Sequence, residues 1–198
     1  MKKNILARIM YLLTGIVAGY QIIHGLDNYS DFTATLYTIS FGLLLLASLL
    51  LLLMGFEIME NDYIAVIVSI IPISLALGII SDKLEHAAVY SALIFISFII
   101  AASLRFFAKG KVASLAIGAL HFISGTLVFL IPIFLFSTGK AGAQILFISL
   151  GGIIIGAGGM LLGFLKAGKS ILEREKVVEL FPIILFLTTT AFVIGLAE

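Results

Sequence analysis

The side chains best equipped for acid–base or metal chemistry are three histidines and a few carboxylates. His121 stands out because it lies inside an apolar run, 112–136. Nine residues into a helix at 1.5 Å per residue is about 13 Å, close to the middle of a bilayer. A neutral imidazole at that depth can act as a proton relay, a ligand contact or a haem ligand. The structural alternative is a neutral ring satisfied by Ser124 or by a serine of a neighbouring helix. Gly118, Ser124 and Gly125 share its face at helical spacing, and Leu120, Ile123, Leu127 and Phe134 lie opposite. Small residues mark the side where another helix approaches. His121 is therefore expected to point into a bundle and to meet the first or sixth helix.

A second group combines His24 and His86 with Asp82 and Glu85, and with Asp27 and Asp31 nearby. Imidazole with carboxylate suits Zn²⁺ or another divalent metal. Two histidines from different helices can also bracket a haem, and a quinone site is the related redox alternative. The plain alternative is a set of solvated loop residues. Glu57, Glu60 and Asp62 read as a solvated acidic turn.

Several chemistries are excluded. The chain has no cysteine, which removes thiol catalysis, thiolate metal sites and disulfides. A retinal Schiff base needs a lysine in the last helix, and 181–197 has none. Ser124-Gly125 follows Phe122-Ile123, so it lacks the G-x-S-G setting of an intramembrane serine protease. The glycines lie inside apolar runs, not in a polar loop that cradles phosphate.

The elements that must position these residues are membrane helices. Hydrophobic residues make up 62% of the 198 residues and charged residues 12%; mean hydropathy is +1.25. A water-soluble surface needs about a quarter of its residues charged, so the apolar side chains must face lipid and one another. A bilayer core takes roughly 20 apolar helical residues. Seven runs qualify: 5–24, 35–56, 63–81, 87–104, 112–136, 145–165 and 181–197, the last short but able to borrow Val177, Val178 and Leu180 from the connection before it. The first is too long for a signal peptide core and reads as a retained helix. Helices are required because each backbone N–H and C=O in hydrocarbon must be bonded within its segment. The expected fold class is thus all-α: a single transmembrane domain, 1–198, of seven helices.

Basic residues in the short connections set the orientation. With the N-terminus inside, the inner segments hold Lys2, Lys3, Arg8, Arg105, Lys109, Lys111, Lys166, Lys169, Arg174 and Lys176; the outer ones hold Lys83 and Lys140. The N-terminus is expected in the cytoplasm and the C-terminus outside, in a prokaryotic plasma membrane. With no Trp, the interfacial belt falls to Tyr29, Phe56, Tyr63, Phe106, Phe107, Phe164 and Phe181. The connection 166–180 carries Ser170-Ile-Leu-Glu173, a capping-box pattern for a short surface helix, or else is a charged connector.

The even helices resemble one another. Tyr37-Thr-Ile-Ser-Phe-Gly42, Ile94-Phe-Ile-Ser-Phe-Ile99 and Leu146-Phe-Ile-Ser-Leu-Gly151 each carry an Ile-Ser pair, which suggests three hairpins plus one extra helix. Ser40, Ser97 and Ser149 are then expected at equivalent depths, all facing inward. The GxxxG pairs Gly15/Gly19, Gly152/Gly156 and Gly159/Gly163 read as close helix contacts.

The hairpin Ile117-Gly-Ala-Leu-His-Phe-Ile-Ser-Gly-Thr-Leu-Val-Phe-Leu-Ile-Pro132, with its return helix Ile148 to Phe164, resembles the HdeD family of bacterial acid-resistance membrane proteins. The resemblance covers the first six helices. The family pattern has six, so the seventh is a departure. It implies a non-enzymatic, stress-linked membrane protein and supplies no active-site residues.

The expected function is thus a non-catalytic multi-pass membrane protein, stress-associated or an accessory subunit. The alternatives are a small transporter or channel with a path past His121, and a haem- or quinone-binding redox subunit using His24, His86 or His121. The partners open to it are the lipid bilayer, a second copy and a larger membrane complex. A net charge of +1 gives no reason to expect nucleic acid.

Overall fold

The computed structural model describes residues 5–107, 111–166 and 171–197. Lys2, Lys3, Lys109, Lys169 and Ser170, used above, lie outside them. The described residues form α1 (Ile5–His24), α2 (Asp31–Met54), α3 (Asp62–Lys83), α4 (Ala87–Phe107), α5 (Lys111–Ser137), α6 (Leu146–Lys166) and α7 (Arg174–Leu196). Short 3-10 turns at Phe56–Glu60 and Ala143–Ile145 complete them. Among the described residues six of these helices are long and apolar enough to cross a membrane, and α5 contributes the apolar stretch His121–Ser137. The chain is an all-helical protein of membrane character.

The helices close into a ring. α1 packs on α2 and α7, α2 on α3, α3 on α5, α5 on α6 and α6 on α7. α4 stays outside this ring, seated on α3 and α5. Burial follows: 61% of the α3 span is buried, against 6% for α4. Tyr37, Phe41, Leu75, Ile79, Leu135 and Ile148 are fully buried and belong to one cluster, so apolar side chains fill the middle of the ring.

Two seams show how glycine sets these contacts. A Cβ on Gly15 would lie 2.9 Å from Ser48 Oγ, and one on Gly19 3.3 Å from Leu45 Cδ1, so this pair does seat α1 on α2. On α6 the pattern departs from expectation. The glycines in close contact with α7 are Gly151, 2.7 Å from Phe192, and Gly158, 2.8 Å from Ile184. Gly152 meets Phe129 of α5 at 3.7 Å, whereas Gly156, Gly159 and Gly163 face open space. The GxxxG spacing names a stripe of small residues but not the side from which a neighbour comes.

All three prolines sit inside odd-numbered helices: Pro72, Pro132 and Pro182. Each removes one backbone donor, which is tolerated in a membrane where neighbouring hydroxyls serve the freed region. Ser149 Oγ on α6 donates to the Phe129 carbonyl at 2.7 Å, one residue beyond the carbonyl that Pro132 leaves without its donor. Ser40 Oγ on α2 donates to the Ile71 carbonyl at 3.0 Å, beside Pro72. Both serines are buried. Ser97 contradicts the expected repeat: it is exposed and bonds its own turn, to the Leu93 carbonyl at 2.8 Å. The reason is the position of α4 outside the ring, where only the side with Ile94, Phe98 and Ala101 meets the rest of the bundle and Ser97 lies off it.

The end of α7 also differs from expectation. Among the described residues of the connection no separate surface helix precedes it, and the predicted cap Ser170 lies outside them; α7 starts at Arg174, with Glu173 as N-cap and no side-chain capping bond. Val177 is buried, and Phe181 meets Phe56 edge-on with ring centroids 5.4 Å apart. Phe56 and Phe181 therefore belong to the core and not to an interfacial belt. Tyr63 and Phe106, stacked at 5.9 Å, tie the start of α3 to the end of α4.

Candidate functional site

The charged and polar side chains that converge do so where α3 and α7 finish and α6 begins. A cavity of about 260 Å³ opens there, walled by Tyr29, Tyr37, Asp82, Lys83, Gln144 and Leu196 among others. Each wall arises from local structure. Ser30 caps α2 by accepting from the Thr33 N–H at 3.3 Å, which fixes the loop that carries Tyr29. The Tyr29 ring meets Tyr37 edge-on, with centroids 5.0 Å apart. Its hydroxyl donates to the Leu196 carbonyl at 2.9 Å, joining the first loop to the last turn of α7. Gln144, in the 3-10 turn before α6, donates from Nε2 to the Ile194 carbonyl at 2.8 Å and also to the Ala197 carbonyl. The last carbonyls of a helix have no partner within it; here two side chains from distant loops cover them.

Asp82 and Lys83 occupy the last turn of α3. Lys83 Nζ lies 3.0 Å from Asp82 Oδ2, with the two side chains 27% and 22% exposed. A pair removed this far from water is held by its mutual attraction, and deleting one partner strands the other.

The remaining candidates are dispersed. His24 is exposed at the end of α1, its ring 5.3 Å from Tyr20. His86 is exposed in the turn between α3 and α4 with φ 59°, a left-handed conformation. Its carbonyl accepts from the Val89 N–H at 2.9 Å, so it shapes the start of α4. Glu85 is exposed beside it. α1 and α4 are not a packed pair of the ring, so the two histidines are carried by separate parts of the bundle. Among the described residues no group of three His, Asp or Glu side chains is placed to hold a metal ion. Of the set His24, His86, Asp82 and Glu85, the cavity takes only Asp82.

His121 is half-buried on α5, which packs on α3, α4 and α6 but belongs to no packed pair with α1. Ser124 Oγ donates to the His121 backbone carbonyl at 3.2 Å. The neighbouring glycines do not seat a helix: a Cβ at Gly118 or Gly125 would meet nothing within 4 Å. His121→Phe is therefore expected to change stability by less than about 1 kcal/mol, as substitutions away from tight packing do. Thermal unfolding in detergent checks this, and a large loss of stability would show a contact at the ring that the fold requires.

Sequence reading missed Tyr29, Tyr37, Lys83 and Gln144 as a group. Their signal was faint: polar or aromatic residues at the same end of four elements. Comparison of the chain with protein-family models, curated proteins and solved structures finds no match.

Proposed function

We propose that this chain is a non-catalytic, seven-span membrane protein that receives a small polar molecule in the cavity between α3, α6 and α7. The observation that carries the reading is the cavity itself: an ion pair, two tyrosines and an amide gathered at one end of a bundle whose centre is apolar. Binding sites combine an enclosed space with a few convergent polar groups. The filled ring gives less support to a continuous path past His121. The excess of basic residues at the opposite ends of the helices supports an N-in orientation, with this cavity facing outward in a bacterial plasma membrane. The likeness of the α5–α6 hairpin to the HdeD family supports a role linked to stress.

Gly142 provides the test. It lines the cavity with φ −69°, an ordinary conformation, and a Cβ there meets nothing within 4 Å. Gly142→Trp should fill the space without straining the backbone. Small polar solutes are expected to raise the unfolding midpoint of the wild-type protein in nanodiscs and not that of the variant. Equal shifts in both, or none in either, would remove the cavity as the binding site. For orientation, cysteines at Asp27 and Gly139 should react with an impermeant thiol reagent added outside intact cells, and cysteines at Lys109 and Lys169 should not. The cysteine-free background makes each label unambiguous.

A further inference from the structure

We infer that the cavity selects a small organic ammonium ion, with Lys83 as a tethered cation that holds the place of the ligand; this rests on the cavity being a binding site. The wall is rich in acceptors. Three of its side chains already donate within the wall: Tyr29 to Leu196, Gln144 to Ile194 and Ala197, and Lys83 to Asp82. An arriving anion would have to take Lys83 from Asp82 and leave that carboxylate stranded in a half-buried place. An arriving cation needs no such loss. It replaces the Lys83 ammonium at Asp82, and Lys83, on a flexible four-carbon stem, turns outward to water.

The other walls favour the same charge. The carbonyls of Leu196 and Ala197 end α7, at the negative pole of its dipole. Each accepts a bond from a side chain and, as a carbonyl, has a second lone pair. Tyr29 adds aromatic surface, which attracts alkylated ammonium groups, and the fully buried Tyr37 backs it edge-on. The volume, about 260 Å³, equals on the order of eight or nine waters and suits a molecule of choline size.

The test is titration calorimetry on the whole protein in nanodiscs with three probes: choline chloride, glycine betaine and sodium acetate. Choline is expected to bind, and betaine and acetate to bind weakly or not at all. Asp82→Asn should weaken choline by about tenfold or more, since a bond to a charged group is lost. Asp82→Glu, which keeps the charge, should retain binding and so separates loss of the carboxylate from loss of the fold. Lys83→Met should act in the opposite direction and tighten choline by about threefold or more, because the competing occupant is gone. Preferential binding of betaine or acetate, with weakening by Lys83→Met, would overturn the cation assignment and leave the cavity standing as a site. No binding of any probe to the wild type or to Lys83→Met would overturn both.

Discussion

Gly195→Ala is expected to destabilise the protein by about 3 kcal/mol, the upper part of the range for overpacking a filled core. The added Cβ would lie 2.5 Å from Ile148 Cγ1, 2.8 Å from the Ile148 backbone nitrogen and 3.4 Å from the Phe147 carbonyl carbon. A side chain can rotate away from such a clash, but a helix backbone cannot. The first turn of α6 is also held against α7 by Gln144. Relief must come from separating the two helices at the end where the cavity lies. Gly195 does not have a positive φ, so backbone strain does not enter. The control is Gly156→Ala on the same pair of helices, where a Cβ meets open space. That change should cost nothing measurable. Denaturant or thermal unfolding in detergent reads both. A Gly195→Ala protein as stable as the wild type, or a Gly156→Ala protein equally damaged, would refute the placement of the α6–α7 seam.

The contrast between those glycines shows what was legible in the sequence. The run lengths located the helices because hydropathy is a property of each segment alone. The run 181–197 is expected to borrow Val177, Val178 and Leu180 from the connection. α7 starts earlier still, at Arg174: Arg174, Glu175, Lys176 and Glu179 dilute an apolar signal that Val177 nonetheless uses in packing. Adjacency along the chain tells that α1 meets α2 and α6 meets α7, and Gly15 and Gly19 do face that neighbour. On α6 the spacing did not tell which side turns to α7: Gly151 and Gly158 do, and Gly156, Gly159 and Gly163 do not.

The candidate site divides in the same way. Asp82 drew notice as an ionisable group near a helix end, and it does line the cavity. It was grouped with histidines because they shared an end of the bundle. Position along the ring decides which groups on that end meet, and His86 sits in the turn that leads out of the ring to α4. Lys83 entered the sequence reading only as a charge setting orientation, and Tyr37 only as part of a repeat. Their juxtaposition depends on α2 and α3 packing side by side with α7 closing the ring nearby.

That α2–α3 seam yields the second large effect. Tyr37 is 1% exposed, and a Cβ on Gly78 would lie 2.6 Å from its Cδ1 and 2.9 Å from its Cζ, with Cε1 closer still. Its ring also meets Tyr29, on the loop tied to α7. Tyr37→Ala should therefore cost about 3–5 kcal/mol, the usual loss on emptying an aromatic site in a core. Gly78→Ala alone should cost about 2 kcal/mol by pushing the ring into its neighbours. The two together should not add. Once the ring is gone, the new methyl occupies part of the void, so the double variant should be no less stable than Tyr37→Ala. The coupling expected is then about 2 kcal/mol, within the range for residues in direct contact. If Tyr37→Ala fails to assemble, Tyr37→Leu offers the same cycle with a smaller void. Additive losses would mean that Gly78 is glycine for a reason other than the tyrosine. Loss of the coupling partner should also be visible at the cavity: Tyr37→Ala enlarges it from the α2 side, so a ligand held there should weaken in that variant even at temperatures where the protein remains folded.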